Sequence, residues 1–468
     1  MKIQFHILLL PFAFLFFHCA QADRVSFDAS SSAGLLFNAG FNFFRNAATG
    51  KQITSFQFRA GENYLLKDYS ATISGNQILV SGIPFGAVSR LKAAFESSPG
   101  SKILIDEVEQ ISGVTSNNFS SPLTYEVLAE NGQKEIYTVT VNVLTPITDA
   151  GQTECFDNTA SVIACGQGAY PGQDADHVAV ASLLERVTPT DDSSHPVVVD
   201  KITGLIWKTC KEGTNPIDCS ALAAPTLFTY SDAGTACSNL NVNGYAGLKN
   251  WRLPDLQEQF TLASYDSPAP YINTTVFPGG NETFWSRSQA DPASMTPRRW
   301  TFNYTNGYNQ ISDETNTLPV RCVTGGSYPS QKFTDLGDGT VLDKNTNLLW
   351  QKCSVGQSGS SCQISATTSY DWQNALTQCN GLPTTGSRWR IPNIREYLSI
   401  ARFDLLSGTD SIDLSVFPEN ISNGSYWTSN VSQLAGNIGV FSFDASYAFV
   451  SKTDAIYSLS VRCVKDGP

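Results

Sequence analysis

Asp200-Lys201-Ile202-Thr203-Gly204-Leu205-Ile206-Trp207-Lys208-Thr209-Cys210 returns later in the chain as Asp343-Lys344-Asn345-Thr346-Asn347-Leu348-Leu349-Trp350-Gln351-Lys352-Cys353. The landmarks that follow return in the same order. Cys219 matches Cys362, and Cys237 matches Cys379. Trp251-Arg252-Leu253-Pro254 matches Trp389-Arg390-Ile391-Pro392, and Val276-Phe277-Pro278 matches Val416-Phe417-Pro418. Phe284-Trp285-Ser286 matches Tyr426-Trp427-Thr428, and Val320-Arg321-Cys322-Val323 matches Val461-Arg462-Cys463-Val464. The offset stays between 138 and 143 residues throughout. A period of domain length means a tandem pair, not a solenoid of short units.

Each copy predicts the same elements. It opens on a strand that ends in an apolar run and Trp. In the second copy a hairpin precedes it, over residues 333–341, with Asp338-Gly339 at the turn. Tyr230, Ala233, Cys237 and Leu240 share one helical face, as do Trp372, Ala375, Cys379 and Leu382. A second helix follows the W-R-[LI]-P turn. Asp255 with Glu258, and Asn393 with Glu396, have the spacing of a capping box, which accounts for both glutamates without catalysis. A long stretch rich in Gly, Asn, Ser and Tyr then leads to the V-R-C-V closure.

Working outward, the region before the repeats has no Cys or Trp over residues 25–146. Short alternating segments at 54–58, 77–80, 102–105 and 126–129, and a turn at Glu130-Asn131-Gly132, predict a β-sandwich. Residues 147–195 read as a polar connector carrying Cys155 and Cys165. The expected fold class is a multidomain chain: an all-β sandwich, then two α+β domains at 196–325 and 328–468, each folding alone. At roughly 150 residues per domain, 468 residues allow about this number.

The first 22 residues read as an export signal. Met1-Lys2 is a short basic start, and residues 3–17 are apolar, interrupted by Pro11. Two endings stay open. Ala20-Gln21-Ala22 is an A-x-A site that would release a secreted protein, and Cys19 after the apolar run is a lipidation site for a surface lipoprotein. Apart from Cys19, ten of the eleven cysteines remain, an even number that suits disulfides in an exported chain. Thirty basic against 42 acidic residues leave a net charge of −12. That argues against nucleic acid as a partner, because phosphate binding needs a basic footprint. Of four histidines only His177 and His195 lie beyond the signal, so a three-histidine metal centre is excluded within one chain. No nucleophile elbow, P-loop or H-E-x-x-H occurs.

The pattern T-x-x-[LI]-W, a helix ending in Cys, W-R-[LI]-P-[DN]-x-x-E, [FY]-W-[ST] and V-R-C-V resembles the Lcl C-terminal domain family of bacterial surface and secreted proteins. Residues 153–158 and 172–175 resemble the lead-in that precedes such domains. The N-terminal part resembles bacterial cadherin-like or immunoglobulin-like modules. The family is similar in plan to C-type-lectin-like domains, whose relatives include sugar binders, protein binders and formylglycine-generating enzymes. The resemblance implies a cell-surface, adhesin-like protein of the outer membrane, binding glycan or a host or matrix protein, with membrane contact only through a lipid anchor and no catalytic residue. A structural protein of the envelope is the alternative, and an oxidase-like enzyme a third reading. Ligands would meet the loops around 271–308 and 403–447, where Arg298, Arg299, Trp300, Tyr304 and Tyr308 are the candidate binding residues. No resident metal is expected, with calcium near Asp335, Asp338 and Asp343 as the one cofactor option. The plan also places a bond from first helix to closing strand. With the repeated nine-residue gaps, the expected pairs are Cys155–Cys165, Cys210–Cys219, Cys237–Cys322, Cys353–Cys362 and Cys379–Cys463.

Overall fold

The structure is a computed structural model. It describes residues 49–468 except 178–180, 191, 223–225, 267–268, 291–294, 384–385, 404–410, 419–423 and 435–436. Cys19 and the export signal lie outside the described residues. The chain divides into two compact units. One holds Met1–Thr54, Glu96–Gln110 and Thr124–Tyr137, and the other holds Ser55–Phe95, Ile111–Leu123 and Thr138–Pro468. The fold is mostly β, with several sheets and few helices.

In the first unit, Lys102–Ile105 pairs antiparallel with Leu123–Leu128 and with Val108–Glu109. The second unit takes up the rest of the N-terminal module. There Gln77–Pro84 runs parallel to the later part of Lys134–Leu144 and antiparallel to Thr72–Ser74. Phe58 packs edge-on against Phe119, with centroids 5.0 Å apart, and both rings are buried. The region expected as a sandwich is β in its described part but for two short helical turns, Ala60–Asn63 and Phe85–Arg90.

The repeats occupy the rest of the second unit and are built alike. Val197–Asp200, Ile206–Lys208 and Val323–Thr324 form an antiparallel sheet. Thr340–Asp343, Leu348–Gln351 and Val464–Asp466 form its counterpart. The opening motif is explained by its aspartate. Asp200 accepts from the backbone N–H of Ile202 and Thr203, and Asp343 from that of Asn345, so each carboxylate closes the turn between two strands. Trp207 and Trp350 at the far end are fully buried. Each repeat also has a three-stranded sheet, Thr283–Ala290 to Tyr308–Asp313 and Ser425–Leu434 to Phe449–Asp454, and both shift register just after the tryptophan, Trp285 or Trp427. The helices are Tyr230–Asn243 and Leu256–Leu262, then Trp372–Asn380 and Ile394–Ile400. The first sheet of repeat one has a further edge strand, Leu184–Val187, inside the segment read as connector. Its alternation is masked because Glu185 and Arg186 are both exposed at the edge. Five disulfides join Cys155 to Cys165, Cys210 to Cys219, Cys237 to Cys322, Cys353 to Cys362, and Cys379 to Cys463.

Each repeat has an apolar cluster of its own, and a further cluster is common to both. One apolar cluster runs through Leu205, Trp207, Phe260 and Trp300 of the first repeat and Trp350, Tyr397, Phe403 and Phe441 of the second. Tyr265 packs edge-on against Phe441 at 4.7 Å, and Asn309 exchanges hydrogen bonds with the backbone of Ala448 and Val450. Arg395 of the second repeat donates to the Ala263 carbonyl of the first. Part of the apolar surface of each copy is thus covered by its sibling.

Candidate functional site

The shared motifs assemble two constructions in each repeat, and both are structural. In the first, the W-R-[LI]-P arginine meets the capping-box glutamate. Arg252 holds Glu258 through two bonds of 2.7 Å, while Glu258 also accepts from Asp255 N–H at 2.7 Å. Arg390 holds Glu396 at 2.5 and 2.6 Å, with Asn393 N–H at 2.8 Å. Burial raises the Glu258 pKa, with Arg252 opposing it. A carboxylate in a bidentate pair with a backbone donor besides has little capacity left for a ligand. In the second construction the V-R-C-V arginine is boxed by the other motifs. Arg321 lies 4.5 Å from the Phe277 ring and 5.2 Å from Phe284; Arg462 lies 4.8 Å from Phe417 and 5.8 Å from Tyr426. Burial pulls both guanidinium groups down to about 10, still charged at neutral pH.

The repeats differ at the start of the second helix. In repeat one the N-cap carboxylate of Asp255 is closed by Arg287, through two bonds of 2.7 Å. In repeat two the place of Arg287 falls to Ser429, and the acid comes from the connector. Asp174 accepts from Ser429 Oγ at 3.2 Å and Asn430 Nδ2 at 2.9 Å, and Asn430 Oδ1 caps Ile394 N–H. The connector thus docks on the second repeat, although it precedes the first in sequence. Tyr170 packs on Trp372 at 4.9 Å, Pro171 accepts from Asn380, and Gln152 accepts from Val431 N–H. Asp174 is buried, and desolvation, then Asp149 and Glu396, push its carboxyl up to about 7 against the pull of Arg390.

Beside this junction lies a cleft of about 750 Å³, lined among others by Ile147, His177, Asn347, Arg388, Arg390 and Asp466. That volume is in the range of roughly 300–1,000 Å³ usual for small-ligand sites. Burial, and then Arg390, lower the His177 pKa. His177 Nε2 is shielded from solvent and has no hydrogen-bond partner. A second, polar cleft of about 640 Å³ lies between the repeats, lined in part by Gln257, Gln289, Gln331 and Arg402.

The residues singled out in the sequence fall elsewhere. Trp300 and Tyr304 are core residues: Trp300 Nε1 donates to the Phe403 carbonyl at 3.2 Å, and Tyr304 Oη to the Gln259 carbonyl at 3.0 Å. Neither is exposed as the sequence suggested: Trp300 is covered by the second repeat, and Tyr304 is buried within the first. Arg298 pairs with Asp313, and Arg299 with Glu314 while lying 4.2 Å from the Tyr230 ring. Tyr230 has the place that Trp372 holds in repeat two, so Arg299 covers what Tyr170 covers there. Tyr308 is half-buried beside Lys452. Asp335 accepts from Gly337 N–H and Lys352, Asp338 from Thr340, and Asp343 is the buried turn acid. Among the described residues, the group spaced to hold a metal ion is Cys155, Cys165 and Asp176, and its two sulfurs form a disulfide. Asp174 carried no sequence signal beyond the lead-in resemblance and His177 none, because the residues of the second repeat that face them, Ser429, Asn430 and Arg390, stand more than 200 positions away.

No curated protein matches the chain. Among solved structures, a protein from Bacteroides fragilis described as secreted shares 15% identity over 21% of this chain and 96% of its own, with a TM-score of 0.15. One from Bacteroides thetaiotaomicron described as a glycoside hydrolase shares 14% identity over 60% of this chain and 84% of its own, with a TM-score of 0.16. At such scores the likeness does not extend to the overall fold. Residues 53–141 match the family model "SGBP, N-terminal". Residues 196–324 and 339–465 match the model of the Lcl C-terminal domain. With two matches over more than half of its length, the chain belongs to the Lcl C-terminal domain family.

Proposed function

We propose that this chain is an exported, surface-exposed glycan-binding protein that holds its ligand without converting it. The observation that carries the reading is the match of residues 53–141 to the N-terminal module of SGBP, the surface glycan-binding proteins, followed by two Lcl C-terminal domains. Export is supported by the five disulfides, which persist in oxidising compartments. Binding without catalysis is supported by the use of the reactive groups. The ten cysteines beyond Cys19 are bonded, and Glu258 and Glu396 serve caps and ion pairs. A C-type-lectin-like plan for each repeat is supported by its two helices and by the bond from the first helix to the closing segment, Cys237 to Cys322 and Cys379 to Cys463.

The mature, oxidised protein is to be applied to an array of microbial, plant and host glycans, and the supernatant assayed for released reducing sugar. Retention on a subset of glycans without sugar release is expected. Sugar release would turn the reading towards an enzyme, and failure to bind anything would abandon it. For anchoring we propose lipidation at Cys19. Fatty-acid labelling of the expressing cell should mark the protein and be lost in Cys19→Ser. A mature N-terminus at Asp23 would show secretion instead.

A further inference from the structure

The cleft beside the second repeat presents a particular set of unfilled hydrogen-bonding positions. Burial lowers the His177 pKa and so favours the neutral ring. Its Nε2 is a shielded site without a hydrogen-bond partner. Arg388 is exposed at the rim and, among the described residues, has no hydrogen bond or ion pair; its guanidinium only donates. Asp466 keeps 73% of its side chain exposed and touches Arg390 only at 3.5 Å; its carboxylate only accepts. The other titratable groups already have partners, Asp174 among them through Ser429 and Asn430. Arg390 is bound to Glu396, and Asp176 accepts the backbone N–H groups of Gly166, Gly172 and Gln173. Ile147 and Leu348 add apolar wall.

Charge selects among ligands. An anion would gain Arg388 but face Asp466, Asp176 and Glu396. A cation would gain the acids but face Arg388 and Arg390. A ligand that both donates and accepts, carries no charge and has an apolar face meets every open position, and a sugar ring is such a ligand. We propose that this cleft, formed by the connector at His177 and by Arg388 and Asp466 of the second repeat, is a binding site for a neutral carbohydrate. The proposal rests on the glycan-binding reading above and adds to it a location and a ligand class. The corresponding edge of the first repeat is closed by Arg287 on Asp255, so the two copies do not offer equal sites.

The test uses the full oxidised chain and titrates it calorimetrically with neutral gluco-, xylo- and manno-oligosaccharides, oligogalacturonate and a heparin fragment. Variants are Arg388→Ala, at an exposed residue with no partner to lose, His177→Phe, which keeps a ring but no nitrogen, and Gln289→Ala in the other cleft. Binding of a neutral oligosaccharide that falls at least tenfold in both cleft variants, at unchanged melting temperature for Arg388→Ala, and that persists in Gln289→Ala, is the expected result. Neutral-sugar binding that Arg388→Ala leaves intact would overturn the location while the glycan reading stands. Preference for oligogalacturonate or heparin would overturn the ligand class. Failure to bind any of the five would overturn the proposal and count against the wider reading as well.

Discussion

Asp174 is a buried acid held by two neutral side chains, Ser429 and Asn430. Its folded pKa of about 7 lies above the ordinary aspartate value near 4. The folded state therefore keeps a proton that the unfolded chain gives up. The stability this contributes is complete below the unfolded pKa, declines between about pH 4 and 7, and is gone above 7. Asp174→Asn should remove that slope: denaturant midpoints of wild type and variant should differ more at pH 8 than at pH 5, the variant gaining at pH 8. A parallel pH dependence in both proteins would assign the slope to other groups. Residues of this kind are poorly legible in sequence. Asp174 stands among polar residues, and nothing near it in the chain announces burial. Trp300 and Tyr304 failed in the opposite direction, read as exposed in a loop-rich stretch and found in a core.

At the scale of elements the sequence was more informative. Both first helices begin where their apolar spacing begins, at Tyr230 and Trp372, and both second helices open on the expected capping boxes. These signals are local: a capping box needs four residues, and a helical face needs a dozen. Leu184–Val187 was missed because an edge strand with two charged residues has too little apolar alternation to register. Disulfides tie the elements over unequal lengths. Cys379–Cys463 closes 84 residues and Cys353–Cys362 only nine. The chain-entropy relation assigns roughly 4–5 kcal/mol to the long loop and roughly 2–3 kcal/mol to the short one. A Cys379→Ser/Cys463→Ser double variant should thus lose more stability in urea than Cys353→Ser/Cys362→Ser. Equal losses would mean that native-state packing, not loop closure, sets the contribution.

At the scale of the molecule, the apolar cluster that joins the repeats predicts common unfolding. Separating them would expose Phe260, Trp300, Phe403 and Phe441. Burial of one such side chain is worth about 1.5–3 kcal/mol. Calorimetry on the full chain should show both repeats melting in one transition, and Trp300→Ala should lower the melting of the second repeat as well as the first. Two resolved transitions, with only the first displaced by Trp300→Ala, would show that the shared cluster contributes little. The connector extends the same arrangement. Its Phe156 belongs to the core of the second repeat, beside Trp372 and Trp427.

The sequence by itself determined that there are two copies of one domain, where their helices start, and that a β segment precedes them. Each of these rests on contacts between near neighbours or on a pattern that the chain states twice. Only the tertiary structure decided that the copies share an apolar cluster, that the connector crosses to the second of them, and that a cleft with unmatched donors and acceptors forms at that crossing. The reason is physical. Hydrophobic burial is non-directional, so an apolar stripe in a sequence shows that a face is covered and not what covers it. The partners that decide it, Trp300 with Phe403 or Asp174 with Asn430, stand more than a hundred residues apart.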